Sequence, residues 1–327
     1  MADHDNSYKL LFSHPEMVRD LLLGFIHEDW VQQLDFSSLQ KFSGGYVSDK
    51  LRGRESDVVW RVRWRGKEDR WLYVYVLLEL QSTVDSFMAV RMMTYLGLLY
   101  QDLIRQRLLT PGEKLPPVLP IVLYNGYGPW GAALDVADLI EKVPGGLEQY
   151  RPRLRYCLLD EMRIASSELE PLKNLAAALF RLERSQGPEE VQAVLAALLE
   201  WLQAPEQSSL RRAFAVWFSE VFLPTRLPGV KVPKVFELQE VYSVLADKFV
   251  PWTEQWEQQG FERGLEEGAR KAYESLRRIL LNTLEGRFGP LSEDVRRKVE
   301  EIGSVEELAE LTARAGSASS LDSLGFK

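Results

Sequence analysis

Apolar spacing divides the chain into two textures. Over residues 7 to 28, Leu10, Leu11, Met17, Leu21, Leu22 and Phe25 recur at the intervals of one helix face. His14-Pro15 marks a break or a start within that stretch. Residues 34 to 48 read as extended, with Gly44-Gly45 as a turn or bulge. Two alternating segments follow, Asp57 to Arg65 and Trp71 to Gln81, joined by a five-residue polar loop, residues 66 to 70. A helix is expected over 85 to 107, and Pro116 to Tyr124 reads as a buried strand ended by Asn125-Gly126. Helix, three strands, helix, strand is the order of an α/β core over residues 1 to 160.

Beyond the core the periodicity turns helical, so residues 161 to 250 read as an all-α region packed on or beside it. Ser166-Ser167 caps one helix, Gly187-Pro188 opens another, and Ser208 to Val221 is a third. The proline-rich stretch 223 to 234 reads as a linker or a wrapped loop. Residues 251 to 327 form a charged helical tail, with Ser292 as a cap after the break at 287 to 290. Gly260, Gly264 and Gly268 fall on one stripe of it. Each glycine costs about 1 kcal/mol against alanine in a helix interior. Three in register therefore mark either close approach of a second helix or a frayed tail. The first option makes this region a candidate for pairing two copies as a dimer.

The two central strands raise a chemical question. Val58, Trp60, Val62 and Trp64 form one apolar face, and Leu72, Val74, Val76, Leu78 and Leu80 another. A five-residue loop aligns the two by pairing Arg65 with Trp71. The odd face then reads Arg63–Tyr73, Arg61–Tyr75, Val59–Leu77, Asp57–Glu79 and Glu55–Gln81. Arginine against an aromatic ring is favourable, whereas two carboxylates directly opposite repel, their Cβ atoms about 5 Å apart. A hard divalent cation shared by Asp57 and Glu79 converts that repulsion into coordination. Two alternatives stay open: a register shifted by two that sets Glu79 against an arginine, or one carboxyl held protonated.

Composition narrows the chemistry. The chain has 327 residues, with 46% hydrophobic and 27% charged, as in an ordinary globular protein. A single cysteine, Cys157, excludes an intrachain disulfide and a cysteine-rich zinc site. The three histidines, His4, His14 and His27, all precede position 30, which disfavours a histidine metal site or a Ser-His-Asp triad. The N-terminus lacks a signal-peptide core, and no apolar run approaches the roughly 18 residues of a membrane span. A cytoplasmic protein without a membrane partner is the expectation. The net charge is −8, yet residues 41 to 110 carry twelve Lys and Arg against eight Asp and Glu. The tail from 251 is acidic, with fifteen against eleven, so a DNA backbone would be drawn to the first half.

Asp57 followed by Glu79-Leu80-Gln81 on adjacent strands resembles the PD-(D/E)XK nuclease superfamily and its αβββαβ restriction-endonuclease-like core. More closely, the chain is similar to the bacterial recombination-promoting nuclease family, also labelled transposase. The words that carry this are HDNSYKLLFSHPEMVRDLL, GRESDVVWRV, LLELQST, RMMTYLGLLY, PIVLYNG with Trp130 behind it, GFERGLEEG and RFGPLSEDV.

The resemblance implies a Mg²⁺-dependent endonuclease acting on DNA, with Mn²⁺ or Ca²⁺ as other ions for the site. It makes Asp57 and Glu79 metal ligands, with the Leu80 carbonyl as a third, and Gln81 the catalytic partner where the superfamily has lysine. Glutamine is neutral; it can orient a water but cannot supply charge. Arg91 and Tyr95 stand where related nucleases carry a Gln-x-x-x-Tyr motif; Arg91 either supplies that charge or is an ordinary surface arginine. Glu55 and Asn125 are secondary candidates, and Arg61, Arg63 and Arg65 are the candidates for DNA contact. Two rival readings remain: a transposase proper, for which no DNA-reading helix-turn-helix or zinc finger is visible, and a fold-retaining module that binds DNA without cutting it.

Overall fold

The computed structural model of the chain describes residues 2–42, 58–79, 84–126, 128–143, 145–169, 173–185, 187–226, 237–247, 272–302, 304–316, 318 and 320–326. The chain divides into two compact units, Met1–Thr253 and Glu254–Lys327. The first contains a five-stranded mixed sheet flanked by helices, which makes it an α/β structure.

The N-terminal periodicity resolves into α1 (Ala2–Leu11) and α2 (Pro15–Phe25). Pro15 lacks an N–H and occupies the first turn of α2, where a donor has no partner, while His14 is extended at φ −101°. Strands β1 (Leu34–Lys41), β2 (Val58–Trp64) and β3 (Lys67–Glu79) are antiparallel neighbours. Then come α3 (Met88–Arg105), β4 (Val118–Tyr124) and β5 (Cys157–Asp160), the last two parallel to β3 and to each other. Sheet order follows chain order from β1 to β5.

The register of the central hairpin differs from the sequence expectation by two residues. Val59 lies opposite Tyr75, Arg61 opposite Tyr73 and Arg63 opposite Trp71. The expected partners were Leu77, Tyr75 and Tyr73, and Arg65 was expected against Trp71. The cause is the connection. Instead of a five-residue loop, the chain turns at Arg65-Gly66, with Gly66 at φ +68°, and β3 starts at Lys67. Trp64 then pairs with Lys67, and the surplus residues are taken up as an irregularity in the ladder. A two-residue shift preserves parity, so each face keeps its expected side chains. Asp57 lies outside the described residues, and the expected Asp57–Glu79 pairing no longer follows from the hairpin.

Both faces of the sheet are covered. On one, the Trp60 indole donates to the Phe12 carbonyl at 2.9 Å, and α1 and α2 pack against β3 and β1. Behind them α4 (Leu175–Arg184), α5 (Pro188–Trp201), α6 (Ser208–Trp217) and α7 (Leu238–Asp247) form the helical layer. Asp20 of α2 caps α4: its Oδ2 accepts from Leu175 N at 2.8 Å, and Asn174 donates to its carbonyl at 2.6 Å. Gly187 and Pro188 open α5 as expected. Past α6 the helix continues through a π turn, Phe218–Phe222, and on to Arg226, so the expected linker starts later than 223.

The opposite face carries the odd residues of β2 and β3. Val59, Tyr73 and Tyr75 join Met88, Met92, Tyr95, Leu99 and Leu103 of α3 in one buried cluster. A strand buried on both faces is the arrangement expected of a sheet with parallel neighbours.

The second unit has a core of its own. A helix (α8) covers 272–288 and ends at Gly289, φ +81°, followed by α9 (Glu293–Glu301) and α10 (Val305–Ala315). The Ser292 side chain accepts from Val295 N as the expected cap. Leu280, Leu284, Val295, Val299, Leu308 and Phe326 pack together. The glycine stripe at 260, 264 and 268 lies outside the described residues.

Candidate active site

Three parallel strands end together. Glu79 of β3 pairs with Tyr124 of β4, which pairs with Asp160 of β5. The carboxyl edge of parallel strands is where α/β sheets place ligands, because the chain leaves the sheet there and loops converge. Glu79 has the parity of Tyr73 and Tyr75, so its register position is on the α3 side of the sheet.

Helix α3 runs back along β3. The Tyr95 ring stacks on Tyr75 at 5.7 Å, while Tyr100, further on, donates to the carbonyl of Pro116, the neighbour of Pro117, whose own carbonyl accepts from Tyr73 N. The N-terminal turn of α3 therefore lies toward the strand end that bears Glu79. Asp85 starts that turn, its Oδ1 accepting from Phe87 N at 2.9 Å and its carbonyl from Met88 N at 3.0 Å. The Arg91 guanidinium donates from Nε to the Tyr95 hydroxyl at 3.1 Å and approaches Asp85 at 3.9 Å. Its side chain is 16% exposed, which marks an arginine held within the fold. Tyr95 is buried, so the Arg91–Tyr95–Tyr75 chain fixes a cation on the β3 side of the helix.

Beyond β4 the aromatic rings close the same edge. Tyr124 donates to the Gly128 carbonyl at 3.2 Å, and Trp130 packs edge-on against its ring at 5.0 Å. The Trp130 indole donates to the Tyr156 hydroxyl at 3.0 Å, which in turn donates to the Ala133 carbonyl at 3.0 Å. Burial pushes the Tyr156 hydroxyl up to about 12, the Trp130 bond works against that, and the Asp85 carboxylate adds to it. Tyr156 is thus a neutral donor that ties the loop after β4 to the sheet.

The sequence candidates divide accordingly. Arg91 and Tyr95 come together, and the backbone of Glu79 ends β3 on their side. Asp57, Glu55, Leu80 and Gln81 lie outside the described residues. Arg61 and Arg63 stack on the Trp71 ring, at 4.4 and 4.6 Å, in place of the expected tyrosine and Trp71 pairs. Arg61 also donates to the Gln40 side-chain Oε1, and Arg65 Nε donates to the Leu34 backbone carbonyl at 3.0 Å. At about 3.3 Å per residue, Arg61 and Arg63 stand roughly 20 and 26 Å from Glu79 along the strand.

Sequence reasoning passed over a second group at this edge. Glu161 follows β5, is fully buried, and lies near Tyr8 of α1 and Glu183 of α4. Tyr8 and Glu183 are 175 residues apart, and no local pattern announces such a meeting.

These features define an α/β protein with a candidate site at the carboxyl edge of a mixed sheet, built on an acidic strand end and a helix-borne arginine. The chain belongs to the family described as "Putative transposase, YhgA-like", which matches residues 2–211. It is similar to Recombination-promoting nuclease RpnD of Escherichia coli O157:H7, with 34% identity over 123 residues, 38% of this chain and 45% of that protein. Recombination-promoting nuclease RpnC of Escherichia coli K12 is 32% identical over 124 residues, 38% of this chain and 39% of that one. A protein of the same strain named "Putative inactive recombination-promoting nuclease-like protein YjiP" is 36% identical over 92 residues, 28% and 86%. The chain thus spans less than half the length of RpnD and of RpnC. No solved structure matches it.

Proposed function

We propose that the chain is a divalent-metal-dependent DNA endonuclease that hydrolyses phosphodiester bonds and promotes recombination, on a restriction-endonuclease-like core spanning residues 1 to 160. The observation that supports this reading most is the joint position of Glu79 at the end of β3 and of the Arg91–Tyr95 pair on the helix facing it. The names of RpnD and RpnC support the reaction class.

The ion, Mg²⁺ or another divalent such as Mn²⁺ or Ca²⁺, would be held by Asp57, Glu79 and the Leu80 carbonyl. That set is all oxygen, which suits a hard cation. Among the described residues no three His, Cys, Asp or Glu side chains are grouped to hold a metal. Asp57 and Leu80, outside the described residues, are therefore needed to complete it, with Glu55 as a further carboxylate. When bound, such an ion polarises a phosphoryl oxygen and lowers the pKa of a bound water.

The chain's own residues do the rest. Gln81 orients the attacking water by hydrogen bonding but adds no charge. Arg91, aimed by Tyr95, supplies fixed positive charge where the phosphate becomes more negative. Arg61 and Arg63, at about 3.4 Å per nucleotide, would meet phosphates roughly six to eight steps from the cut and contribute affinity. The tail from 251 would pair two copies. The proposed place of action is the cytoplasm; among the described residues no helix is long and apolar enough to cross a membrane.

A second reading is a module that binds DNA without cutting it, favoured by Gln81 and by the word "inactive" in the names of two relatives. Plasmid nicking with and without Mg²⁺ separates the two. The nuclease reading expects cleavage that Asp57→Ala and Glu79→Ala abolish while both variants stay folded. Protein that shifts DNA but never nicks it with any divalent ion establishes the second.

A further inference from the structure

The carboxyl ends of β4 and β5 hold a carboxyl group that the nuclease reading does not use. Glu161 is 0% exposed, and neither of its oxygens has a hydrogen-bond partner. An ionised carboxylate in that setting carries a desolvation penalty that outweighs what little favours its charge, so the neutral acid is the favoured form. The groups facing it are Tyr8 of α1, Glu183 of α4 and Asp160 of β5. Next to these, Asn125 faces the Tyr8 hydroxyl and Arg226 faces Glu183. Arg163 is taken by Asp160 at 2.6 Å, and Arg184 by the Ile164 carbonyl and Ser166.

The two glutamates are not equivalent. Burial raises the Glu183 carboxyl too, but the Tyr8 hydroxyl, which donates to it at 2.8 Å, and nearby Arg226 both favour its charged form. Tyr8 favours the charged form of Glu161 as well, but burial, then Glu183, then Asp160 outweigh it. A neutral Glu161 has a proton to give, and Tyr8 is among the groups that face it. Carboxyl groups in contrasting surroundings divide into an acid and a base in this way.

We propose that Glu161, Tyr8 and Glu183 form a proton-dependent clasp, in which neutral Glu161 donates to the Tyr8 oxygen while Tyr8 donates to ionised Glu183. The clasp ties α1 and α4 to the end of β5 and loosens when Glu161 gives up its proton. It joins three elements that meet nowhere in sequence, one strand away from the β3–β4 edge. The proposal stands whether or not the chain cuts DNA.

The sign of the pH effect follows. Burial, then Glu183, then Asp160 hold the Glu161 carboxyl well above its ordinary value, so the folded chain keeps a proton that the unfolded chain releases. The contribution is complete below about pH 4.3 and declines as the pH rises toward the folded value.

The test uses the full chain and two readouts that do not involve DNA. Infrared difference spectroscopy at neutral pH should show the carbonyl band of a neutral carboxylic acid, absent in Glu161→Gln and retained in Glu183→Gln. The thermal midpoint of the wild type should fall more steeply between roughly pH 5 and pH 8 than that of Glu161→Gln, which carries the same shape without the titration. If Glu161→Gln does not fold, the wild-type band and its survival in Glu183→Gln still decide the matter. Absence of a neutral-acid band in the wild type at neutral pH, a band unchanged in Glu161→Gln, loss of the band in Glu183→Gln, or parallel midpoint curves overturns the proposal.

Discussion

Arg91 and Tyr95, one turn apart on α3, are joined by a 3.1 Å hydrogen bond from the guanidinium to the phenol oxygen. Tyr95 is in turn stacked on Tyr75 of β3. A long, mobile side chain is thereby held by the strand that ends in Glu79. Pre-organisation of this kind is what lets one cation act on a developing charge without reorganising.

On the nuclease reading, Arg91→Ala should lower metal-dependent DNA cleavage by about 10²- to 10³-fold, the usual cost of losing one fixed charge-stabilising donor. Tyr95→Phe keeps the ring on Tyr75 but removes one of the bonds that hold Arg91, so its loss should be smaller. Single-turnover cleavage measures both. Wild-type rates in the two variants would leave Arg91 as a purely structural arginine.

Gly126→Ala should destabilise the first unit by about 1–3 kcal/mol, the usual cost of overpacking. A Cβ there would lie 2.2 Å from the Tyr124 hydroxyl oxygen and 2.3 Å from Cζ. Tyr124 is 0% exposed and braced by Trp130, so the ring has no room to swing aside. Denaturant unfolding reads this directly, and an unchanged midpoint would contradict the close approach.

Asp20→Ala removes the acceptor for Leu175 N and loosens the start of α4. Leaving a buried backbone donor unpaired costs about 1–3 kcal/mol. Urea denaturation should show this loss, whereas an equally stable variant would mean that water or Asn174 replaces the carboxylate.

If the proposed DNA contacts hold, Arg61→Ala and Arg63→Ala should each weaken DNA binding and reduce the salt slope of the binding constant by about 1. Cleavage at saturating DNA should change little, since both lie well along the sheet from Glu79. A lost catalytic rate at saturation would place them at the reacting phosphate instead.

Removal of residues 254–327 should leave the first unit folded, because each unit has its own buried core. On the reading that the tail pairs two copies, the truncated protein should sediment as the smaller species. Equal oligomeric state with and without the tail refutes that role.

Much of the local structure was legible in the residues themselves. The end of β4 before Asn125-Gly126, the proline starts of α2 and α5 and the Ser292 cap depend on neighbours within a few positions. Alternation along β2 and β3 assigned the right side chains to each face, since period two survives a shift of two. The Arg91–Tyr95 pair was legible for the same reason: residues four apart share a helix face.

What the sequence by itself determined, then, is what periodicity and short-range geometry carry: helix or strand for most elements, their faces, the Ser292 cap and the α/β class. The short strand β5 has no such signal, and Ser166-Ser167 lies inside its helix rather than capping it. Register was left to the tertiary structure, because whether residues 66–70 form a loop or join the strand depends on how the whole ladder and its two covering layers close. The same holds for Arg61 and Arg63 sharing one tryptophan. It holds most of all for Glu161, whose lack of partners and whose closeness to Tyr8 and Glu183 arise only when chain segments more than 150 residues apart are packed together and water is excluded.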